Sequence, residues 1–235
     1  AALLDNLGVG RAAVLGYSAG GPVAIHFAVR HPDRVWGLIL ECAVTRKWTI
    51  GPGNYQEKIF FGYLMYSDPF LWASDVTGNL APRLVGMSTI EMESSLDKEE
   101  TKRLMDSIMH DERRVAVLKD MIKGMSPEEL RRDGMDNDVE QLGKITDLPL
   151  KGIRAPTLII HGTRDADVPV TDAEFASRAI PGSELYLVKG GFHVMALTDS
   201  IDEITARRVS FLKSRAPRMN TSRHLPFVSG RGFTD

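Results

Sequence analysis

Gly16-Tyr17-Ser18-Ala19-Gly20 follows the apolar run Ala12-Ala13-Val14-Leu15 and opens onto an alanine- and valine-rich stretch with helical character. A G-x-S-x-G pattern between a strand and a helix specifies a sharp turn that holds its serine in a strained backbone conformation. The Ser18 hydroxyl then projects above the sheet, as a nucleophile must. The flanking glycines are expected because a Cβ at either position would crowd the adjacent strand and helix. The N–H of Ala19, at the start of the helix, would point at a developing oxyanion.

A nucleophilic serine needs a base and an acid to orient that base. Downstream, Pro156-Thr157-Leu158-Ile159-Ile160-His161-Gly162 has the apolar, β-branched texture of a buried parallel strand. Asp165 and Asp167 follow it directly, in the loop past the strand's carboxyl end, where open α/β sheets place functional groups. The next strand-like run, Glu184-Leu185-Tyr186-Leu187-Val188, leads into Lys189-Gly190-Gly191-Phe192-His193. The order Ser…Asp…His differs from the orders used by other serine-hydrolase folds.

On these residues the chain, from Leu3 to about Leu212, resembles the later part of an α/β-hydrolase-fold enzyme carrying a helical lid. The segment Ala28-Val29-Arg30-His31-Pro32-Asp33-Arg34-Val35, leading into a strand, belongs to the same resemblance. The resemblance implies an α/β fold with a mostly parallel sheet, about four strands of it retained, flanked by helices. It puts the acid at the last position of G-x-x-D, Gly162-Thr163-Arg164-Asp165, so Asp165 is preferred to Asp167. Glu41, after Leu38-Ile39-Leu40, is the third candidate. The catalytic set is therefore Ser18, Asp165 and His193, with Ala19 as oxyanion donor. Tyr17, Trp48 and Phe192 are the candidate substrate contacts, Phe192 standing where relatives commonly have glycine and narrowing the pocket.

The implied activity is hydrolysis of an ester, lactone or related carbonyl substrate through an acyl-enzyme. Acyl transfer, carbon–carbon hydrolysis and cofactor-free haloperoxidase chemistry run on the same triad in relatives, and a non-catalytic binding protein or an inactive truncated fragment is the alternative outside enzymes. No cofactor and no metal are expected, and Cys42 alone can build neither a disulfide nor a cysteine-based metal site. In the resembled family, further strands precede the elbow and the loop after the third supplies a second oxyanion N–H. The chain is accordingly expected to be an incomplete copy of a longer protein.

The division expected is core over 1–45, a helical lid over 46–150, core again over 151–214, and a flexible tail over 215–235. Within the lid, Gly51-Pro52-Gly53-Asn54 reads as a hinge-like loop. Helix starts are expected at Ser88-Thr89-Ile90-Glu91, as a capping box, and at Ser126-Pro127. Leu104 and Ile108, then Val115, Leu118 and Ile122, recur at helical spacing. Trp48, Tyr55, Phe60, Phe61, Tyr63, Tyr66, Phe70 and Trp72, with many methionines, suit an apolar acyl or alcohol group, although at helical spacing they serve first as lid core. Later helices are expected near Asp172–Ala179 and Thr198–Leu212.

At 235 residues and 43 % hydrophobic content the chain can bury a substantial core as one domain with an insertion. A net charge of −2 provides no electrostatic basis for nucleic acid as a partner. No apolar run has membrane-spanning length. The expectation is a small-molecule substrate and a cytoplasmic location, with the oligomeric state open. His26, His31, His110, His161 and His224 are assigned no chemistry, and Cys42 is read as a small buried hydrophobe near the pocket.

Overall fold

A computed structural model describes residues 1–48, 76, 80–124 and 132–217. The hinge-like loop at Gly51-Asn54, the aromatics from Tyr55 to Trp72, the helix start at Ser126-Pro127 and most of the tail lie outside the described residues. Four strands, β1 (Ala12–Tyr17), β2 (Val35–Glu41), β3 (Thr157–Gly162) and β4 (Glu184–Val188), form one sheet in the order β1-β2-β3-β4, every pair parallel. Parallel neighbours cannot be joined by hairpins, so each connection carries helix. α1 (Ala2–Asn6) precedes β1 and is followed by Gly8, whose φ of +66° is the left-handed conformation glycine commonly supplies just past a helix end. α2 (Gly20–Arg30) links β1 to β2, and α7 (Val170–Ala179) links β3 to β4. α8 (Ile201–Arg215) closes the described chain.

Strand alternation decides which helix each residue meets. Leu38, Leu40 and Ile159 point to one face, where they pack with Ala24, Ile25 and Ala28 of α2 and with Ala173 and Ala176 of α7. Ile39, Leu158 and Ile160 point to the other, against Ile204 and Phe211 of α8. Both faces are covered, so β3 is buried along its whole length and shows no polar alternation.

Between β2 and β3 the described elements are helical: α3 (Pro82–Glu93), α4 (Lys98–Met109), α5 (Glu112–Gly124) and α6 (Arg132–Gly143). Ile90, Leu104, Met105, Ile108, Leu118 and Ile122 form a separate core there, closed by Phe192, Val194 and Leu197 from beyond β4. Ser88 does not start a helix. Proline at the first position opens α3 at Pro82, and Ser88 instead bonds back to the Leu84 carbonyl four residues earlier. The capping box sits at Asp97 and Glu100, which exchange side-chain bonds with each other's N–H at 2.8 Å. α7 starts two residues before the expected Asp172, with Pro169 at its N-cap, and α8 starts at Ile201, three residues after the expected Thr198.

Candidate active site

Ser18 stands at the carboxyl end of β1 with a φ of +50°, a region a residue with a Cβ rarely adopts. Tertiary bonds hold it there. Its N–H donates to the Glu41 carbonyl at 3.1 Å, and its carbonyl accepts from Gly21 and Val44 at 3.0 Å each. The end of β2 thus clamps the turn. Close approach makes glycine necessary at two places, one of them different from expectation. A Cβ on Gly16 would meet Ala24 at 2.7 Å, and one on Gly21 would meet the Val44 carbonyl at 2.6 Å. Gly20 faces open space, so the second crowded position is Gly21, the first residue past the motif.

The loops after β3 and β4 bring Asp165 and His193 to Ser18. His193 Nε2 lies 3.0 Å from Ser18 Oγ, and Nδ1 lies 2.9 Å from Asp165 Oδ2. Nδ1–H therefore donates to the carboxylate, and Nε2 is left to accept from the serine hydroxyl. Asp165 Oδ1 accepts from the N–H groups of Asp167 and Val168 at 3.0 and 2.9 Å. Burial alone would raise the Asp165 pKa, but hydrogen bonds from His161 and His193 outweigh it and bring it down to about 2. Burial opposes a charged His193, yet the bond and charge of Asp165, joined by Asp167 and Glu93, raise its pKa above the ordinary 6.5.

The other candidates fall into place around this chain. Glu41, the third choice of acid, reaches neither His193 nitrogen by a hydrogen bond. It is buried and held in a two-pronged ion pair by Arg208 of α8. Tyr17 points its hydroxyl at the His193 carbonyl (2.5 Å), its ring 5.4 Å from the imidazole. It positions the histidine loop as well as bordering the site, and burial pushes its phenol pKa up. Trp48 donates its indole N–H to the Asp167 carbonyl at 2.9 Å and packs with Ala19, Val44 and Val168, beside the acid loop. Phe192 is fully buried among the helices of the insertion, where its ring is the apolar plug that docks the histidine loop on them. Cys42 is buried as expected, but at a φ of +44° and with its sulfur among the Asp165 and His193 side chains.

Two residues had no role from sequence. His161, fully buried at the end of β3, directs Nε2 at the Val168 carbonyl (2.9 Å) with Asp165 Oδ2 at 3.3 Å. Its Nδ1 has no hydrogen-bond partner among the described residues, so the polar contacts of the ring run through Nε2. No sequence signal separates this histidine from any other at a strand end. The backbone carbonyl of Glu93, the last residue of α3, accepts from the N–H groups of Ala166 and His193 at 3.3 Å each, tying the insertion to both loops.

Ligand-type atoms of Cys42, Asp165 and His193, and of Glu93, Asp167 and His193, gather within 4.8 Å. Both imidazole nitrogens are already engaged, so a metal ion at either group would have to displace a contact of the chain. A cavity of about 340 Å³ lies behind the histidine loop, lined by Leu96, Arg103, Gly191 and Ser200. Ser18 is not on its wall, so the position of the reactive groups locates the site.

The alpha/beta hydrolase fold family model matches residues 1–200. An alpha/beta hydrolase fold protein from Nakamurella multipartita superposes with a TM-score of 0.81 at 31 % identity, over 91 % of this chain and 73 % of that one. An uncharacterized hydrolase of Bacillus subtilis is 28 % identical over 90 % of the chain and 72 % of its own length. A 2-hydroxy-6-oxononadienedioate/2-hydroxy-6-oxononatrienedioate hydrolase of Burkholderia vietnamiensis is 28 % identical over 72 % of the chain, which spans 51 % of that relative's length. The chain belongs to the alpha/beta hydrolase fold family and is a hydrolase of that superfamily. No helix among the described residues is long and apolar enough to cross a membrane.

Proposed function

We propose that this chain is a serine hydrolase that cleaves an ester, lactone or related carbonyl substrate through an acyl-enzyme on Ser18. The observation that carries the reading is the unbroken path from Ser18 Oγ to His193 Nε2 at 3.0 Å and from His193 Nδ1 to Asp165 at 2.9 Å. Ser18 Oγ attacks the carbonyl carbon as its proton passes to Nε2, and the carbonyl oxygen becomes an oxyanion. Nε2–H then protonates the leaving group, and the bond from the carbonyl carbon to it breaks. Water then attacks the acyl carbonyl, giving a proton to Nε2; the bond from that carbon to Ser18 Oγ breaks, Nε2–H returns the proton to the serine oxygen, and the acid leaves. Asp165 keeps the imidazole in the useful tautomer and stabilises the imidazolium without taking its proton. Ala19, at the N-cap of α2, offers its N–H to the oxyanion where the helix dipole favours negative charge. The helices between β2 and β3 act as a lid that selects an apolar acyl or alcohol group. The relative named for an oxo-dioate favours a second reading, hydrolysis of that kind of substrate by the same residues.

A fluorophosphonate probe and p-nitrophenyl esters of rising acyl length test the reading together. Ser18→Ala should abolish labelling and turnover, and Asp165→Asn should lower turnover by about 10⁴-fold. A folded protein that takes up the probe equally with or without Ser18 is not a serine hydrolase. Fastest turnover of the shortest or of carboxylate-terminated acyl chains would remove the apolar-group assignment.

A further inference from the structure

Asp165 and Asp167 look like rival candidates for one role, yet both reach the same histidine from opposite sides. Asp165 takes Nδ1, whereas Asp167 Oδ2 lies 3.5 Å from Nε2, the nitrogen that faces Ser18. The Asp167 position is held by the chain around it. Its N–H donates to Asp165 Oδ1, and its carbonyl accepts from the Trp48 indole. The His193 side chain is 8 % exposed and that of Asp167 24 %, so solvent screens the contact only in part.

We propose that Asp167 is a second carboxylate on the catalytic base, sharing the reacting nitrogen with Ser18 and stabilising the imidazolium from that side. The inference rests on the Ser18–His193–Asp165 reading. When Ser18 gives its proton to Nε2, the new N–H has two acceptors, the departing oxygen of the substrate and Asp167 Oδ2. No further proton is needed, because Asp167 only accepts a hydrogen bond. The contact has an opposing effect in the resting enzyme. A carboxylate beside the Nε2 lone pair favours the protonated ring, which cannot accept from Ser18. Asp167 thus strengthens the base and confines its work to higher pH.

His193 is faced by charged and titratable groups from every element packed on it. Asp165 and Asp167 come from the loop after β3, and Glu93 from the end of α3. Tyr17 comes from β1, Cys42 from the turn after β2, and His161 stands behind Asp165. Among the carboxylates, Asp165 and Asp167 come within 3.5 Å of an imidazole nitrogen in the ion pairs formed there, and they differ in which nitrogen they meet.

The test is the pH profile of fluorophosphonate labelling and of kcat/KM for the full chain, with Asp167→Asn and Asp167→Ser. Activity needs neutral His193, so the wild-type rate should fall as pH drops through a limb above 6.5, the ordinary histidine value. Either variant should move that limb down by about half to one pH unit, the effect of removing one nearby charge. The alkaline plateau should fall about three- to tenfold, so that the variant and wild-type curves approach or cross at low pH. A lowered plateau with an unmoved limb would mean that Asp167 only shapes the loop, and would overturn the proposal. Should Asp167→Asn not fold, the His193 ring can be titrated by NMR in Ser18→Ala with and without Asp167→Ser, where identical pKa values overturn it equally. Loss of Ser18-dependent labelling in the wild type would strike the triad reading instead.

Discussion

At the scale of single residues, the elbow is strict where backbone meets backbone and lenient elsewhere. Gly21 lies against the Val44 carbonyl, part of the same clamp that holds Ser18 at positive φ, whereas the volume beside Gly20 is empty. Gly21→Ala must push two backbone segments apart and should cost about 1–3 kcal/mol, as overpacking does. Gly20→Ala, at the first position of α2, should leave stability within about 0.5 kcal/mol, as alanine is the better helix former. Urea denaturation of both variants measures the difference, and equal costs would refute the clamp. The motif was legible in sequence, as was the serine's place in it. Which glycine is crowded was not, because the crowding atoms come from Val44, far along the chain.

Among the elements, the histidine loop depends on the helical insertion. Phe192 immediately precedes His193, yet its ring is buried with Ile90, Met105 and Leu118, so the base is anchored through its neighbour in the helical core. Ser95 and Arg164 stitch the insertion to the acid loop in the same way, Ser95 N–H donating to the Arg164 carbonyl at 2.9 Å. Phe192→Ala should lower stability by about 3–5 kcal/mol through lost burial and the cavity left behind. Turnover at a temperature where the variant is folded should also fall, since His193 loses its seat. A stability loss with an unchanged rate would show that the plug and the base are mechanically independent. In the sequence the position of Phe192 next to His193 is explicit, whereas its partners in the helical core are not. The strand and helix types were readable for the opposite reason: alternation and helical spacing are local. The start of α3 escaped because Ser88-x-x-Glu91 satisfies a capping pattern that Pro82 had already made redundant.

For the whole molecule, the sheet and the site share one fastening. Glu41 ends β2, carries the carbonyl that holds Ser18, and has its buried carboxylate tied to Arg208 of α8. Removing the guanidinium would leave that carboxylate in a nearly dry site. Arg208→Ala should therefore destabilise the fold by about 3 kcal/mol, the low end for a broken buried pair, because Arg208 is itself about a quarter exposed. Arg208→Ala combined with Glu41→Gln should recover part of the loss in thermal denaturation, and no recovery would show that the pair is not what α8 contributes. The strand segments, the turn that carries Ser18, and the loops that carry Asp165 and His193 follow from apolar runs and glycines adjacent in the chain. Those patterns act over a few residues, so they can be read without the fold. The seat of Phe192, the pairing of Glu41 with Arg208, and the meeting of Asp165 and Asp167 on opposite nitrogens of His193 are set by segments tens of residues apart. Their energies depend on distance in space, and that distance exists only once the sheet has brought the loops together.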